Sequence, residues 1–283
     1  MKEKVFVSEE KKKDICKKYS EENWTIKLLT EKYALSRFVV KRILQDNQIS
    51  IKRHTKRGRL FMKEEYFEKI DTEAKAYFLG LLFTDGNVFI GKKEINQITL
   101  ELTVRDVEIL EKLKKELNTN NKITYRKNPN RSETVSLRVF SKKMVDDLSQ
   151  YGIIPQKTKK TNHLPLDLIP DNLKKDFIRG LIDGDGSVFY HGENKKYLGV
   201  TFCSYNRNIC EELKNICDSL IGVKTNHKVY TEKNKNISRV TYTKQDVTKQ
   251  LVTVLYKDSS YYLTRKYNLA KIVFESKDEE DIV

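Results

Sequence analysis

The chain has 283 residues, of which 38% are hydrophobic and 34% are charged. It carries 55 Lys and Arg against 40 Asp and Glu, so its formal net charge is +15. An excess of this size favours a polyanionic partner, because neutralising phosphates releases the counterions condensed on nucleic acid. The sequence lacks an apolar run of the roughly 20 residues that cross a bilayer, and its start lacks the apolar stretch of a signal peptide. We therefore expect a cytoplasmic, nucleic-acid-binding protein with no membrane partner.

The first sixty residues hold over half of the excess positive charge, with 17 Lys and Arg against 8 Asp and Glu. Apolar spacing and capping residues predict a helical domain over residues 1–50 with three helices, at 8–20, 25–33 and 37–47. Ser36 is placed to be the N-cap of the third helix, after a tight turn.

These three helices resemble the helix-turn-helix of resolvases and transposases. The resemblance implies that the third helix enters the major groove and presents Arg37, Lys41 and Arg42 to DNA. A small helical bundle with no role in DNA binding is the alternative. Residues 51–70 form a basic linker, in which Arg53, Lys56 and Arg57 could contact phosphates or enter a minor groove; the alternative is a solvated linker.

The segments 71–160 and 161–283 repeat one order of elements: an apolar helix, two strands, a charged helix, two more strands and a final helix. Residues 98–103 alternate between apolar and polar side chains, which predicts a half-buried strand, and residues 197–204 do so less strictly. The repeat predicts two similar α+β domains side by side.

Each repeat opens with an apolar helix that ends in Asp-Gly, in the segments AYFLGLLFTDGNVF and DFIRGLIDGDGSVFY. Gly80 of the first aligns with Gly180 of the second, and Asp85 aligns with Asp185. Small residues four positions apart give each helix a face that another helix can approach closely. An aspartate at a helix C-terminus opposes the helix dipole, and we expect the glycine after it to take a left-handed C-cap conformation.

Packing these two helices together would place two carboxylates within a few ångströms, an unfavourable arrangement that a divalent cation resolves. Buried helices that end in ordinary Asp-Gly turns are the alternative, and the repetition of the pattern argues against it.

The two segments resemble the LAGLIDADG motifs of homing endonucleases, although Phe83 stands where an aspartate is usual and Thr84 replaces a smaller residue. The resemblance implies two pseudo-symmetric αββαββα domains whose sheets form a saddle over double-stranded DNA. It also implies a monomer, because one chain supplies both half-sites. Asp85 and Asp185 would be catalytic ligands of Mg²⁺ or Mn²⁺ in a nuclease that leaves short 3′ overhangs.

The same resemblance nominates Lys157 and Lys266 as basic catalytic residues, with a solvated surface lysine as the alternative in each case. Further DNA contacts are expected from polar side chains on the exposed faces of the strands: Thr99, Glu101, Thr103, Arg126, Arg138, Lys228 and Arg239. Outward polar residues are also the default of any half-buried sheet.

Two other functions remain open for this fold. One is a DNA-binding regulator without cleavage, against which the retention of Asp85 and Asp185 argues. The other is an RNA-splicing maturase with intron RNA as its partner.

Overall fold

The computed structural model describes residues 7–22, 24–49, 51, 61–91, 95–128, 131–232 and 236–275. The chain divides into two compact units, a first unit of residues 1–62 and a second unit of residues 63–283. The predicted DNA contacts Arg53, Lys56 and Arg57 lie outside the described residues. Across the described ranges, every helix is too short or too polar to cross a membrane.

The first unit consists of three helices: α1 (Glu9–Ser20), α2 (Ile26–Tyr33) and α3 (Arg37–Asp46). Each begins after a hydroxyl side chain, Ser8, Thr25 or Ser36, which accepts a hydrogen bond from a backbone N–H in the first turn. Each helix is therefore one residue shorter than the sequence predicts, because the extra residue is a cap. A left-handed residue, Ala34 with φ of 52°, ends α2 and turns the chain into α3.

The core of the first unit is formed by apolar residues from all three helices. They are Ile15, Tyr19, Ile26, Leu29, Val40, Ile43 and Leu44. The opposite side of α3 is left exposed.

The second unit contains two antiparallel four-stranded sheets with the same strand order. The first sheet has the order β1-β2-β4-β3 and the second has the order β5-β6-β8-β7. The strands are β1 (Gly86–Ile90), β2 (Asn96–Thr103), β3 (Ile123–Asn128), β4 (Arg131–Phe140), β5 (Gly186–His191), β6 (Tyr197–Ser204), β7 (Tyr230–Glu232) and β8 (Ile237–Tyr242).

The helices of the second unit complete two αββαββα repeats. They are α4 (Glu73–Asp85), α5 (Val107–Glu116), α6 (Lys142–Gln150), α7 (Lys157–Lys160), α8 (Lys174–Asp185), α9 (Arg207–Leu220), α10 (Gln245–Tyr256), α11 (Thr264–Ala270) and α12 (Ile272–Glu275). The predicted α+β class and the duplicated order of elements are confirmed.

The two motif helices, α4 and α8, pack against each other at small residues. A Cβ atom built on Gly80 would overlap the carbonyl oxygen of Phe177, and one built on Gly180 would overlap the carbonyl oxygen of Tyr77. The Cβ built on Gly80 would also lie 3.0 Å from the Cα of Gly180. The backbones therefore touch directly, as the spacing of small residues predicts.

The glycine after each motif helix differs from the expected left-handed C-cap. Gly86 has φ of −72° and ψ of 144°, and Gly186 has φ of −99°, so both are extended. The helix passes directly into a strand at each glycine, and this continuation requires extended backbone. A side chain is excluded for a different reason, because a Cβ would crowd the backbone of Leu82 or Ile182.

Replacing Gly180 with alanine tests the close contact of the helices. Alanine has the higher helix propensity by about 1 kcal/mol, so an unconstrained glycine would gain stability. We expect instead a loss of about 3 kcal/mol in the free energy of unfolding, because the new methyl group overpacks the interface. Urea denaturation followed by circular dichroism measures this change.

Gly222→Ala is the matched control, since a Cβ there meets nothing within 4 Å and only its φ of +67° opposes a side chain. That strain costs about 1 kcal/mol. A Gly180→Ala protein as stable as the wild type would show that the helices do not touch in this way.

Candidate active site at the ends of the motif helices

Asp85 and Asp185 are the last residues of α4 and α8, and the packing of these helices brings their ends together. A Cβ built on Gly184 would lie 2.7 Å from Oδ2 of Asp85, so the first carboxylate sits beside the residue that precedes the second. The hydroxyl of Thr84 donates to the same Oδ2 at 3.4 Å. Both predicted carboxylates therefore belong to one site.

Thr84 and Gly184 occupy equivalent positions in the two motifs and are complementary. A side chain at Gly184 would overlap the Thr84 hydroxyl, so the larger residue on α4 is accommodated only by a glycine on α8. The helix interface is asymmetric at this point.

The site is electrostatically strained in the protein alone. Burial, and after it the negative charge of Asp185, raise the pKa of Asp85 to about 6. Burial also raises the pKa of Asp185, against the opposing effect of the Lys157 ammonium. Both carboxylates therefore hold a proton more tightly than an exposed aspartate does, because each is partly withdrawn from water.

The two nominated lysines lie at equivalent places, each against the C-terminal end of a motif helix. Lys157 Nζ donates to the carbonyl oxygen of Thr84 at 2.9 Å and also to that of Gly86. Lys266 Nζ donates to three carbonyl oxygens on α8 and β5, at 2.6, 2.6 and 2.7 Å. Two of these acceptors, the carbonyls of Thr84 and Asp183, lie in the last turn of a motif helix, where carbonyls have no partner within the helix.

Neither lysine is a solvated surface residue. Burial lowers the pKa of Lys266 to about 8 and lowers the pKa of Lys157 as well. Lys157 lines a pocket with Asp185, so a cation from the first repeat and a carboxylate from the second face the same space. The site is thus composed from both repeats.

A buried carboxylate, Asp183, fixes the surroundings of Lys266. It accepts hydrogen bonds from the hydroxyls of Tyr77 at 2.8 Å and Tyr256 at 2.7 Å, and from the backbone N–H of Leu263 at 2.7 Å. The three donors come from α4, α10 and the start of α11, which carries Lys266. Phe83 takes the equivalent place in the first repeat and packs against Phe177 instead. The two halves of the site are therefore supported differently.

A fully buried arginine also joins the motif helices. Arg179 of α8 donates to Glu73 of α4 and to Asp176, both at 2.8 Å, and to the carbonyl oxygens of Leu255 and Tyr261. The sequence pattern predicts that both motif helices are apolar. It therefore missed the buried charged residues Arg179 and Asp183. The charged residues within the otherwise apolar run IRGLIDGDG are the sequence feature that could have indicated both.

The predicted DNA contacts of the first repeat share one face of its sheet. Glu101, Thr103, Arg126 and Arg138 are exposed there. Thr99 pairs with Arg138 across the strands but differs from the prediction, since only 7% of it is exposed and its hydroxyl accepts from Gln97 at 2.9 Å. Thr99 is therefore not an exposed side chain of this face.

The contacts predicted in the second repeat lie in a groove on its sheet. Lys228 and Arg239 line this groove with Tyr230, Glu232 and Thr241. Arg239 forms an ion pair with Glu232 at 3.0 Å. On α3 of the first unit, Arg37 and Arg42 are exposed and Lys41 is half-buried.

Comparisons with known proteins agree with this geometry. Residues 172–255 match the family described as LAGLIDADG-like domain. The meganuclease I-SmaMI bound to uncleavable DNA superposes with a TM-score of 0.50 at 14% identity, covering 73% of this chain and 92% of that chain. Variants of the homing endonuclease I-DmoI give a TM-score of 0.49 at 16% identity, covering 74% of this chain and 99% of that one. No curated protein matches the sequence significantly.

The chain therefore contains a LAGLIDADG-like domain at residues 172–255, and most of the chain has the fold of LAGLIDADG homing endonucleases. This finding confirms the resemblance that the two motifs indicate.

Replacing Asp183 with asparagine tests the buried network. An amide offers one acceptor oxygen to three donors and turns an NH₂ group toward them, so we expect the free energy of unfolding to fall by about 4 kcal/mol. Tyr256→Phe removes a single donor and should cost about 2 kcal/mol. Chemical denaturation of both variants gives the comparison. A smaller loss for Asp183→Asn than for Tyr256→Phe would mean that the carboxylate does not hold these elements together.

Proposed function

We propose that the protein is a metal-dependent endonuclease that hydrolyses phosphodiester bonds of double-stranded DNA at one long target site. The observation that carries the proposal is the pair of carboxylates, Asp85 and Asp185, held at the adjacent ends of two closely packed helices from separate repeats. Neither carboxylate is needed for helix stability, since both stand at the negative end of a helix dipole. A role in chemistry accounts for their placement.

The residues present fit Mg²⁺ or Mn²⁺ as the cofactor. Carboxylate oxygens are the donors these hard cations prefer, and the raised pKa of Asp85 shows that its charge lacks full compensation. Within the described part of the chain, groups of three or more His, Cys, Asp or Glu side chains that could hold a metal ion are absent. Mg²⁺ is often bound by one or two carboxylates, with water and substrate phosphates as its other ligands. Asp85 and Asp185 would therefore hold the cation together with DNA.

When bound, such a cation supplies a charge that polarises the scissile phosphate and lowers the pKa of a water ligand. The protein's own side chains orient the reacting groups and neutralise the charge of the phosphates. Asp85 and Asp185 position the reacting groups, with each carboxylate serving mainly one strand. Lys157 and Lys266 place positive charge beside the phosphates, where charge accumulates during hydrolysis. A double-strand break with short 3′ overhangs is the proposed product.

We propose that DNA lies along the exposed faces of the two sheets, with the first unit adding contacts through α3. The polar residues on these faces supply base and phosphate contacts, and the +15 net charge supplies attraction. Both repeats reside on one chain, so a monomer is sufficient to cover two half-sites. A regulator that binds DNA without cutting it, or a maturase that binds intron RNA, would use the same surfaces without the carboxylates.

Cleavage of a randomised DNA library tests the proposal. With Mg²⁺ we expect double-strand cuts at one long site, and with EDTA we expect none. Asp185→Asn and Asp85→Asn should each reduce cleavage at least about a hundredfold, because the lost metal contact stabilises the transition state by several kcal/mol. Lys157→Met and Lys266→Met should slow cleavage at saturating DNA while the affinity for DNA changes less.

Asp171→Asn is the control, since it removes the same charge from a side chain that is 94% exposed. Its cleavage rate should equal that of the wild type. Specific DNA binding with no cut, unaffected by Asp185→Asn, would overturn the nuclease and favour the regulator. Selection of RNA over DNA would favour the maturase.

A further inference from the structure

The exposed side of α3 carries an aromatic ring that is largely uncovered by the residues that the structure describes. Phe38 is 74% exposed, more than any other large hydrophobic side chain among the described residues. Lys41, Arg42 and Gln45 follow it at spacings of three, four and seven residues, so the four side chains share one helical face. The other side of the helix packs into the core through Val40, Ile43 and Leu44.

We propose that Phe38 contacts the methyl group of a thymine in the major groove and so selects thymine at one position of the target. This inference rests on the proposed binding of DNA by the first unit. Each polar base edge in the groove offers a donor or an acceptor, and the C5-methyl of thymine is the apolar group displayed there. The cations beside Phe38 favour a polyanionic partner over an apolar protein surface.

Gln45 extends the recognition in the same direction. Seven residues along a helix correspond to about 10 Å, which is about three base-pair steps. Glutamine can form two hydrogen bonds with adenine, through N6 and N7. The face therefore reads a thymine near the start of α3 and an adenine about three steps away. Lys41 and Arg42 hold the helix on the phosphates, although Arg42 lies 3.8 Å from Asp46 in the free protein.

The test uses the full chain and a randomised DNA duplex library, in EDTA so that cleavage does not remove bound sites. Wild type, Phe38→Ala and Leu28→Ala are each used to select sequences. Leu28 is the matched control, because it is an exposed hydrophobic residue on α2. We expect the wild type and Leu28→Ala to select a thymine that Phe38→Ala does not select. The thermal stability of Phe38→Ala should be close to that of the wild type, since most of the ring is exposed.

Uracil in place of each selected thymine then removes only the methyl group. We expect wild-type affinity to fall about fourfold at one position, and Phe38→Ala to show no further fall there. If Phe38→Ala selects the same thymine and loses the same affinity when uracil replaces it, the inference is wrong. The inference is also wrong if sedimentation shows that the wild type is a dimer and that Phe38→Ala is a monomer. The ring would then bind a second copy of the chain.

A separate variant distinguishes this failure from failure of the proposed function. Lys41→Ala combined with Arg42→Ala should weaken binding at all sequences and reduce its salt dependence. If that variant binds the selected duplex as the wild type does, the first unit does not contact DNA and the inference falls with that role. If it binds more weakly while uracil has no effect, only the reading of thymine by Phe38 is wrong.

Discussion

The direct contact of two helix backbones determines most of what is distinctive in the second unit. At Gly80 and Gly180 the helices approach so closely that a single Cβ atom on either would overlap a carbonyl oxygen of the other. This approach aligns the two helix ends and so places Asp85 and Asp185 in one site. It also aligns the two sheets that follow, because each motif helix continues directly into the first strand of its sheet. Site and binding surfaces thus depend on one interface.

The buried charged residues that hold this interface together come from only one of the two motifs. Arg179 and Asp183 belong to the second motif, and both bind elements of the first repeat as well as their own. Removing one partner of such a buried network leaves the rest unpaired, so the network fixes the relative placement of the helices. Lys266 is held by three carbonyl oxygens beside this network, whereas Lys157 contacts two beside the apolar Phe83. The pseudo-symmetry of the fold does not extend to its internal support.

Much of this arrangement was predictable from the sequence because it follows from local patterns. The period of the repeats, the alternation of residues 98–103 and the hydroxyl caps before the first three helices depend on neighbouring residues. The position of the two aspartates at the ends of apolar helices is equally local. Gly86 and Gly186 were predicted to be left-handed, and this was wrong because a helix that enters a strand without a turn needs extended backbone.

The partners of Asp183 could not be predicted, since only the tertiary structure brings them to this carboxylate. Tyr77, Tyr256 and Leu263 have no sequence pattern that links them to Asp183. The burial of Thr99 was not predicted either, because its position on the strand indicates exposure, whereas only 7% of it is exposed and its hydroxyl accepts a hydrogen bond from Gln97. The target sequence of the proposed endonuclease is likewise absent from any local pattern.

Close packing of the two motif helices forces two like charges together in a buried site. The most direct measurement compares the thermal stability of the wild type with that of Asp85→Asn, in EDTA, at pH 7 and at pH 5. The folded-state pKa of Asp85 is about 6, above the ordinary value of 3.8. Its charge therefore destabilises the fold at pH 7, and protonation relieves this cost as the pH falls through 6. We expect Asp85→Asn to have a higher melting temperature than the wild type at pH 7, and we expect the difference between the two proteins to be smaller at pH 5. A lower melting temperature for Asp85→Asn at pH 7 would contradict this expectation.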